Sequence, residues 1–130
     1  MNYLIADFII RIKNSALSKR KKVVLPYSKI NKEVGRVLVR NGFLEEIKDS
    51  ITDNKKTLTA VIKYHKRIPT LTSIEIISKP SLRVYGSVKD ILELEKRGRR
   101  IAIVSTSQGV MIGKEAKKKG IGGEILFAIW

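Results

Sequence analysis

The chain has 130 residues, and its 27 lysines and arginines against 12 aspartates and glutamates give a formal charge of +15. A surplus of one sign repels itself unless a polyanion offsets it, so nucleic acid is the expected partner, and no run of about 20 apolar residues offers a membrane span. Cysteine is absent, which removes disulfides, zinc knuckles and thiol chemistry, leaves packing alone to hold the fold and gives no reason to expect a cofactor or metal.

Met1-Asn2-Tyr3-Leu4 carries neither a basic segment nor a long apolar one, so the expectation is an unsecreted chain that starts here. Asn2 is placed to cap a first helix whose apolar residues Leu4, Ile5, Phe8, Ile9 and Ile12 recur at helical spacing, with Asp7 near its start and Lys13 near its end. Its face carries Arg11, Lys13 and Asn14, and Lys19-Arg20-Lys21-Lys22 follow, as either an RNA contact or a solvated loop. Val23-Val24-Leu25 reads as a strand closed by Pro26. Ser28 then caps a second helix with Ile30, Val34, Val37 and Leu38 inside and Lys29, Lys32, Arg36 and Arg40 outside as an ordinary polar face. Asn41-Gly42 ends it. Residues 43–49 and 57–64 read as an antiparallel hairpin turning at Thr52-Asp53-Asn54.

Between Lys63 and Thr72 the apolar pattern lapses, and Pro69 blocks a central strand, which sets a lobe boundary near 66–71. Residues 73–77 and 82–85 read as strands around a turn at Lys79-Pro80-Ser81. Ser87 with Asp90 forms a capping box for a helix running toward Lys96, whose Glu93 and Glu95 read as surface charges. Strand 101–104 delivers Ser105-Thr106-Ser107 to a loop. Val110-Met111-Ile112 returns as a strand, 114–119 form a helix stopped by Gly120, and 125–130 close as a strand. The expected fold is α+β in two small lobes: 1–66 with two helices on a small sheet, and 71–130 mainly antiparallel β with a short helix.

Within the second lobe, 105–124 gathers hydroxyls, glycines and lysines. Hydroxyls and backbone N–H groups suit phosphate and 2′-OH oxygens, lysines neutralise phosphate, and glycines admit a close backbone. Lys117 and Lys118 are the phosphate candidates, beside the hydroxyls. Catalytic readings fail by comparison. Ser105-Thr106-Ser107-Gln108-Gly109 approximates a nucleophile elbow but leads into a strand, and the chain's one histidine, His65, lies at the lobe boundary. Residues 109–115 miss the phosphate loop by one residue and put Glu115 where a magnesium-holding hydroxyl belongs. No enzyme is indicated; the alternatives are a nonspecific charge-driven nucleic-acid binder and, far behind, a hydrolase using Ser107 and His65.

Asp7 with Arg11-Ile12-Lys13-Asn14, Lys79-Pro80-Ser81-Leu82-Arg83-Val84-Tyr85, and Ser105-Thr106-Ser107-Gln108-Gly109-Val110-Met111 before Gly120-Ile121-Gly122-Gly123-Glu124 together resemble the bacterial form of small-subunit ribosomal protein eight, end to end. Ile112, where threonine is frequent, and Arg99-Arg100, where glycine is usual, depart from the pattern. The resemblance implies a two-lobed primary binder of a stem in the central domain of small-subunit ribosomal RNA, promoting subunit assembly beside neighbouring ribosomal proteins. It also implies repression of an operon messenger RNA through a mimic stem, and a place in the ribosome of a bacterial cytoplasm or an organelle. It puts the main contacts on Ser105, Thr106 and Ser107, with support from Lys79, Ser81, Tyr85, Gly122, Gly123 and Glu124, and further contacts on the helix of Arg11 and Asn14. Tyr85 either stacks on a splayed base or, the favoured alternative, keeps its ring in a core. Glu124 either accepts from a base amino group or orients a neighbouring lysine.

Overall fold

The computed structural model describes residues 4–98 and 100–130, so the Asn2 cap and Arg99 lie outside the described residues. The fold is α+β, as expected from the order of helical and extended patterns. By its contacts the chain divides into two compact units, one ending at Thr72 and one running Ser73–Trp130.

In the first unit, helices α1 (Leu4–Leu17) and α2 (Lys29–Arg40) pack on a sheet of β1 (Lys22–Pro26), β2 (Leu44–Thr52) and β3 (Lys55–Ile62) in the antiparallel order β1-β3-β2. The buried helical residues recur at the expected spacing, Ile5, Phe8, Ile9, Ile12 and Ala16 from α1 and Val34, Val37 and Leu38 from α2. Leu25, Leu44, Leu58, Ala60 and Ile62 of the sheet are buried as well. The Ser28 hydroxyl accepts from the Asn31 N–H at 3.1 Å, which makes it the cap that its position suggested. The hairpin turns on Asp53 and Asn54 alone, both at positive φ, while Thr52 pairs with Lys55, so the strands run nearer the turn than the sequence pattern indicated. Where the pattern lapses, Tyr64–His65 (β4) and Ile68–Pro69 (β5) form a second tight hairpin around Lys66 and Arg67.

The second unit centres on β10 (Gly123–Ile129). It pairs with β8 (Ile101–Thr106) on one side and with β6 (Ile74–Ile76) and β7 (Tyr85–Gly86) on the other, and β9 (Gly109–Ile112) continues from β8. Helices α3 (Val88–Glu95) and α4 (Gly113–Lys119) cover one face, where Ile91 and Ala116 pack with Ala102, Val104, Met111 and Ile125. Both boxed bonds of the Ser87 and Asp90 cap are present, and Gly120 ends α4 at φ +66°.

Two expectations fail here. Residues 82–84 do not extend a strand, because their backbone partners are taken singly: Leu82 bridges Lys79 across Pro80-Ser81, Val84 N–H donates to the Ser78 hydroxyl, and its carbonyl accepts from Ile125. Glu95 is not a surface charge either; it is half-buried, and its carboxylate accepts from the Ala102 N–H at 3.3 Å.

Candidate nucleic-acid interface

Register decides which side chains share a face of the second sheet. Val110, Ser105, Glu124 and Tyr85 are successive partners across β9, β8, β10 and β7, so their side chains form one row on the face opposite α3 and α4. Ile103 and Phe127 form the next row on that face and are fully buried, which leaves the polar row as its open end. A β-bulge between Ile125 and Phe127 makes this possible: with Leu126 unpaired, Glu124 and Phe127 share a face although three positions apart.

The three hydroxyls of 105–107 occupy three different environments, where the sequence had put them together on a loop. Ser105 lies within β8, half-buried, opposite Glu124. Thr106 is the last residue of β8, and its hydroxyl donates to the Gly109 carbonyl at 2.8 Å and accepts from the Gln108 N–H at 3.1 Å. That side chain closes the hairpin. Only Ser107 and Gln108 form the tip, both exposed, with Gly109 turning the chain back at φ +109°. Ser107 therefore stands between two antiparallel strands, where a nucleophile elbow would need a strand leading into a helix, and His65 belongs to the other unit.

Gly122 and Gly123 have packing reasons to be glycine. A Cβ on Gly123 would run into the Ser105 carbonyl, and one on Gly122 into the carbonyl of Gly86. Both obstacles are backbone, which cannot swing aside. Tyr85 is 70% exposed, so its ring is not in a core; the favoured alternative is wrong, and the strand pairing turns the ring outward beside Glu124.

Glu124 is bound within the protein. Its carboxylate accepts from the hydroxyl of the fully buried Ser78 and from the Arg83 guanidinium at 3.3 Å, so the cation it orients is an arginine rather than a lysine. Ser78 itself is held by the bulge, because the Leu126 carbonyl takes the N–H groups of both Ile77 and Ser78 at 3.2 Å. Neither Ser78 nor Arg83 was singled out from sequence. Arg83 was visible inside the Lys79 to Tyr85 segment, whereas nothing local distinguishes a serine between Ile77 and Lys79. Lys79 and Ser81 sit exposed on the adjoining turn with Leu82.

Lys117 and Lys118 are exposed on α4, the helix that covers the core face. They do not share the face of the hydroxyl row, as adjacency in sequence had suggested. In the first unit, Arg11 donates to Asp7 one turn back at 3.2 Å, and Asn14 lines a shallow polar depression with Ser15, Ser18 and Arg20. The Lys19 to Lys22 run is solvent-exposed, as a solvated loop would be, with its backbone anchored: Tyr64 OH donates to the Arg20 carbonyl at 2.5 Å, the Lys21 carbonyl accepts from Ile62 N–H, and Lys22 begins β1. Among the described residues, no group of acidic, histidine or cysteine side chains could hold a metal, and no helix is long and apolar enough to cross a membrane.

A sequence model of the family described as Ribosomal protein S8 matches residues 4–130. The chain is 39% identical to the small ribosomal subunit protein uS8 of Mycoplasma mobile over 97% of its own length and 94% of the relative's. It is 36% identical to that of Acidithiobacillus ferrooxidans, over 96% and 95% of the two chains. With the small ribosomal subunit protein uS8c of Physcomitrium patens it shares 39% identity over 99% and 98%.

Proposed function

The chain belongs to the ribosomal protein S8 family, and on that premise we propose that it is a structural constituent of the small ribosomal subunit, without catalytic activity, that binds a stem in the central domain of the subunit's RNA. Bound there, it promotes assembly beside neighbouring small-subunit proteins, in a bacterial cytoplasm or an organelle. The same surface represses an operon messenger RNA that presents a similar stem.

One observation carries the reading: the open row of Ser105, Glu124 and Tyr85, with Ser107 at the adjoining tip, on a chain of charge +15. A regular A-form stem hides its bases in a deep groove, so a protein meets 2′-OH groups, phosphates and splayed bases from the shallow side. Short hydroxyls on strand ends suit that task, because little side-chain entropy is lost when they bond. Residues 71–130 are accordingly the recognition lobe. Ser105, Ser107 and Tyr85 meet sugar and base edges, Glu124 orients a cation among them, and Lys79 and Ser81 lie at the flank. Thr106, Gly122 and Gly123 hold the surface in shape and bring its backbone close. Arg11 and Asn14, from the lobe of 1–66, and Lys117 and Lys118 supply phosphate contacts.

Two variants on two RNAs test this. Ser107→Ala leaves charge untouched, and should weaken binding to the cognate stem by about 1–3 kcal/mol while affinity for an arbitrary duplex holds. Lys118→Ala should weaken both alike. Equal losses for Ser107→Ala on the two RNAs would move the reader elsewhere and favour nonspecific binding by charge.

A further inference from the structure

A glutamate in a phosphate-facing surface is electrostatically unfavourable, since it repels the ligand that the rest of the chain attracts. Glu124 nevertheless stands at the centre of the polar row, and its side chain remains 18% exposed. The bonds around it supply a reason. The bulge at Leu126 fixes Ser78 through two backbone N–H groups. Ser78, wholly buried, donates a hydrogen bond from its hydroxyl to the Glu124 carboxylate and accepts one from Val84 N–H at 3.3 Å. The carboxylate, so fixed, accepts from the Arg83 guanidinium, whose side chain is 41% exposed on the segment between Leu82 and Tyr85.

We propose that Arg83 is a phosphate-binding residue of the recognition site, and that Ser78 is a positioning residue which acts on the RNA chiefly through Glu124 and Arg83. This rests on the RNA-recognition reading above. A guanidinium has a planar fork of donors matched to phosphate, and an N–H bonded to a fixed carboxylate oxygen helps to pre-orient the cation. An arginine held in this way loses less side-chain entropy on binding than a lysine on a helix surface. The negative charge of Glu124 therefore serves RNA affinity by aiming a positive one.

The sign of one substitution separates this from plain electrostatics. Glu124→Gln removes a negative charge from a surface that meets a polyanion, so charge alone predicts tighter binding. Positioning predicts weaker binding to the ribosomal stem, by about tenfold, the scale of one lost charge-assisted hydrogen bond. Ser78→Ala should do the same, and Arg83→Met should also lower the salt slope by about one. The double variant Ser78→Ala/Arg83→Met should bind no worse than Arg83→Met alone, because the serine acts through the arginine. All are measured in the full chain by titration of the central-domain stem and of an arbitrary duplex, with thermal melts alongside. Should Ser78→Ala fail to fold, Glu124→Gln and Arg83→Met decide the question.

Tighter binding by Glu124→Gln, or a Ser78→Ala loss that adds fully to that of Arg83→Met, overturns the proposal while the family role stands. A wild-type chain that binds the ribosomal stem no better than the duplex overturns the recognition reading, and the proposal with it.

Discussion

Glu95 is a carboxylate placed where a charge is poorly solvated. Burial raises its pKa above the ordinary value, and the bond from Ala102 N–H with the nearby Lys114 only partly offsets this. A pKa raised by folding means that the native state holds the proton more tightly than the unfolded chain. Stability is then unaffected below the unfolded value, near pH 4, and falls as pH rises from there through the folded one. Glu95→Gln keeps an acceptor for Ala102 and removes the ionisation. The variant should therefore gain on the wild type between pH 4 and pH 7, by less than about 1 kcal/mol at neutrality since the group is only half-buried. Urea melts at the two pH values check this, and a difference independent of pH would contradict it. Gly113 belongs to the same corner, because a Cβ there would meet the Glu95 carboxylate and the Ile91 side chain.

At the scale of elements, α3 depends on its cap more than most helices do. It spans eight residues, Val88–Glu95, and a helix so short does not hold itself in water. The Ser87 and Asp90 box satisfies two orphan groups at its start, and bonding to Ser87 keeps the Asp90 carboxyl below its ordinary pKa. Ser87→Ala should cost about 1 kcal/mol, seen as a fall in Tm of a few degrees. Because Ile91 lies in the core beneath this helix, hydrogen exchange should quicken in α3 before it does in β10. Unchanged melting would show that packing alone fixes the helix. Caps of this kind were legible in advance at Ser28, Ser87 and Gly120, since each acts on neighbours within four residues. The bulge in β10 was not. Its sequence, Ile125 to Ile129, is apolar at every position, so no alternation marks where the register slips. Without that slip, the path from Ser78 to Glu124 could not be drawn.

For the molecule as a whole, the charge of +15 governs how strongly RNA is attracted. Affinity should fall steeply between low and physiological salt, with a log-log slope matching several neutralised phosphates, and a flat titration would refute a phosphate-based interface. Charge, fold class and the polar segment at 105–124 could be read from composition and pattern, because they are sums or local periodicities. The site's internal bonds could not, since Ser78, Arg83 and Glu124 meet across as many as 46 positions of chain. The same limit explains Tyr85. Its amphipathic side chain fits a core and a surface equally well, and only the pairing with Glu124 puts the ring outside.

The Thr106 hydroxyl, bonded across its own turn to the Gln108 N–H and the Gly109 carbonyl, closes the tip before any target arrives. A tip already closed in the free protein has no folding step to complete after it meets its target. Encounter and capture should then be one event. Stopped-flow traces should follow a single exponential whose rate climbs linearly with RNA concentration and does not level off. Thr106→Ala, with the turn released, should bend that line to a plateau as tip closure becomes rate-limiting, and a straight line for the variant would mean that the backbone alone keeps the tip ready.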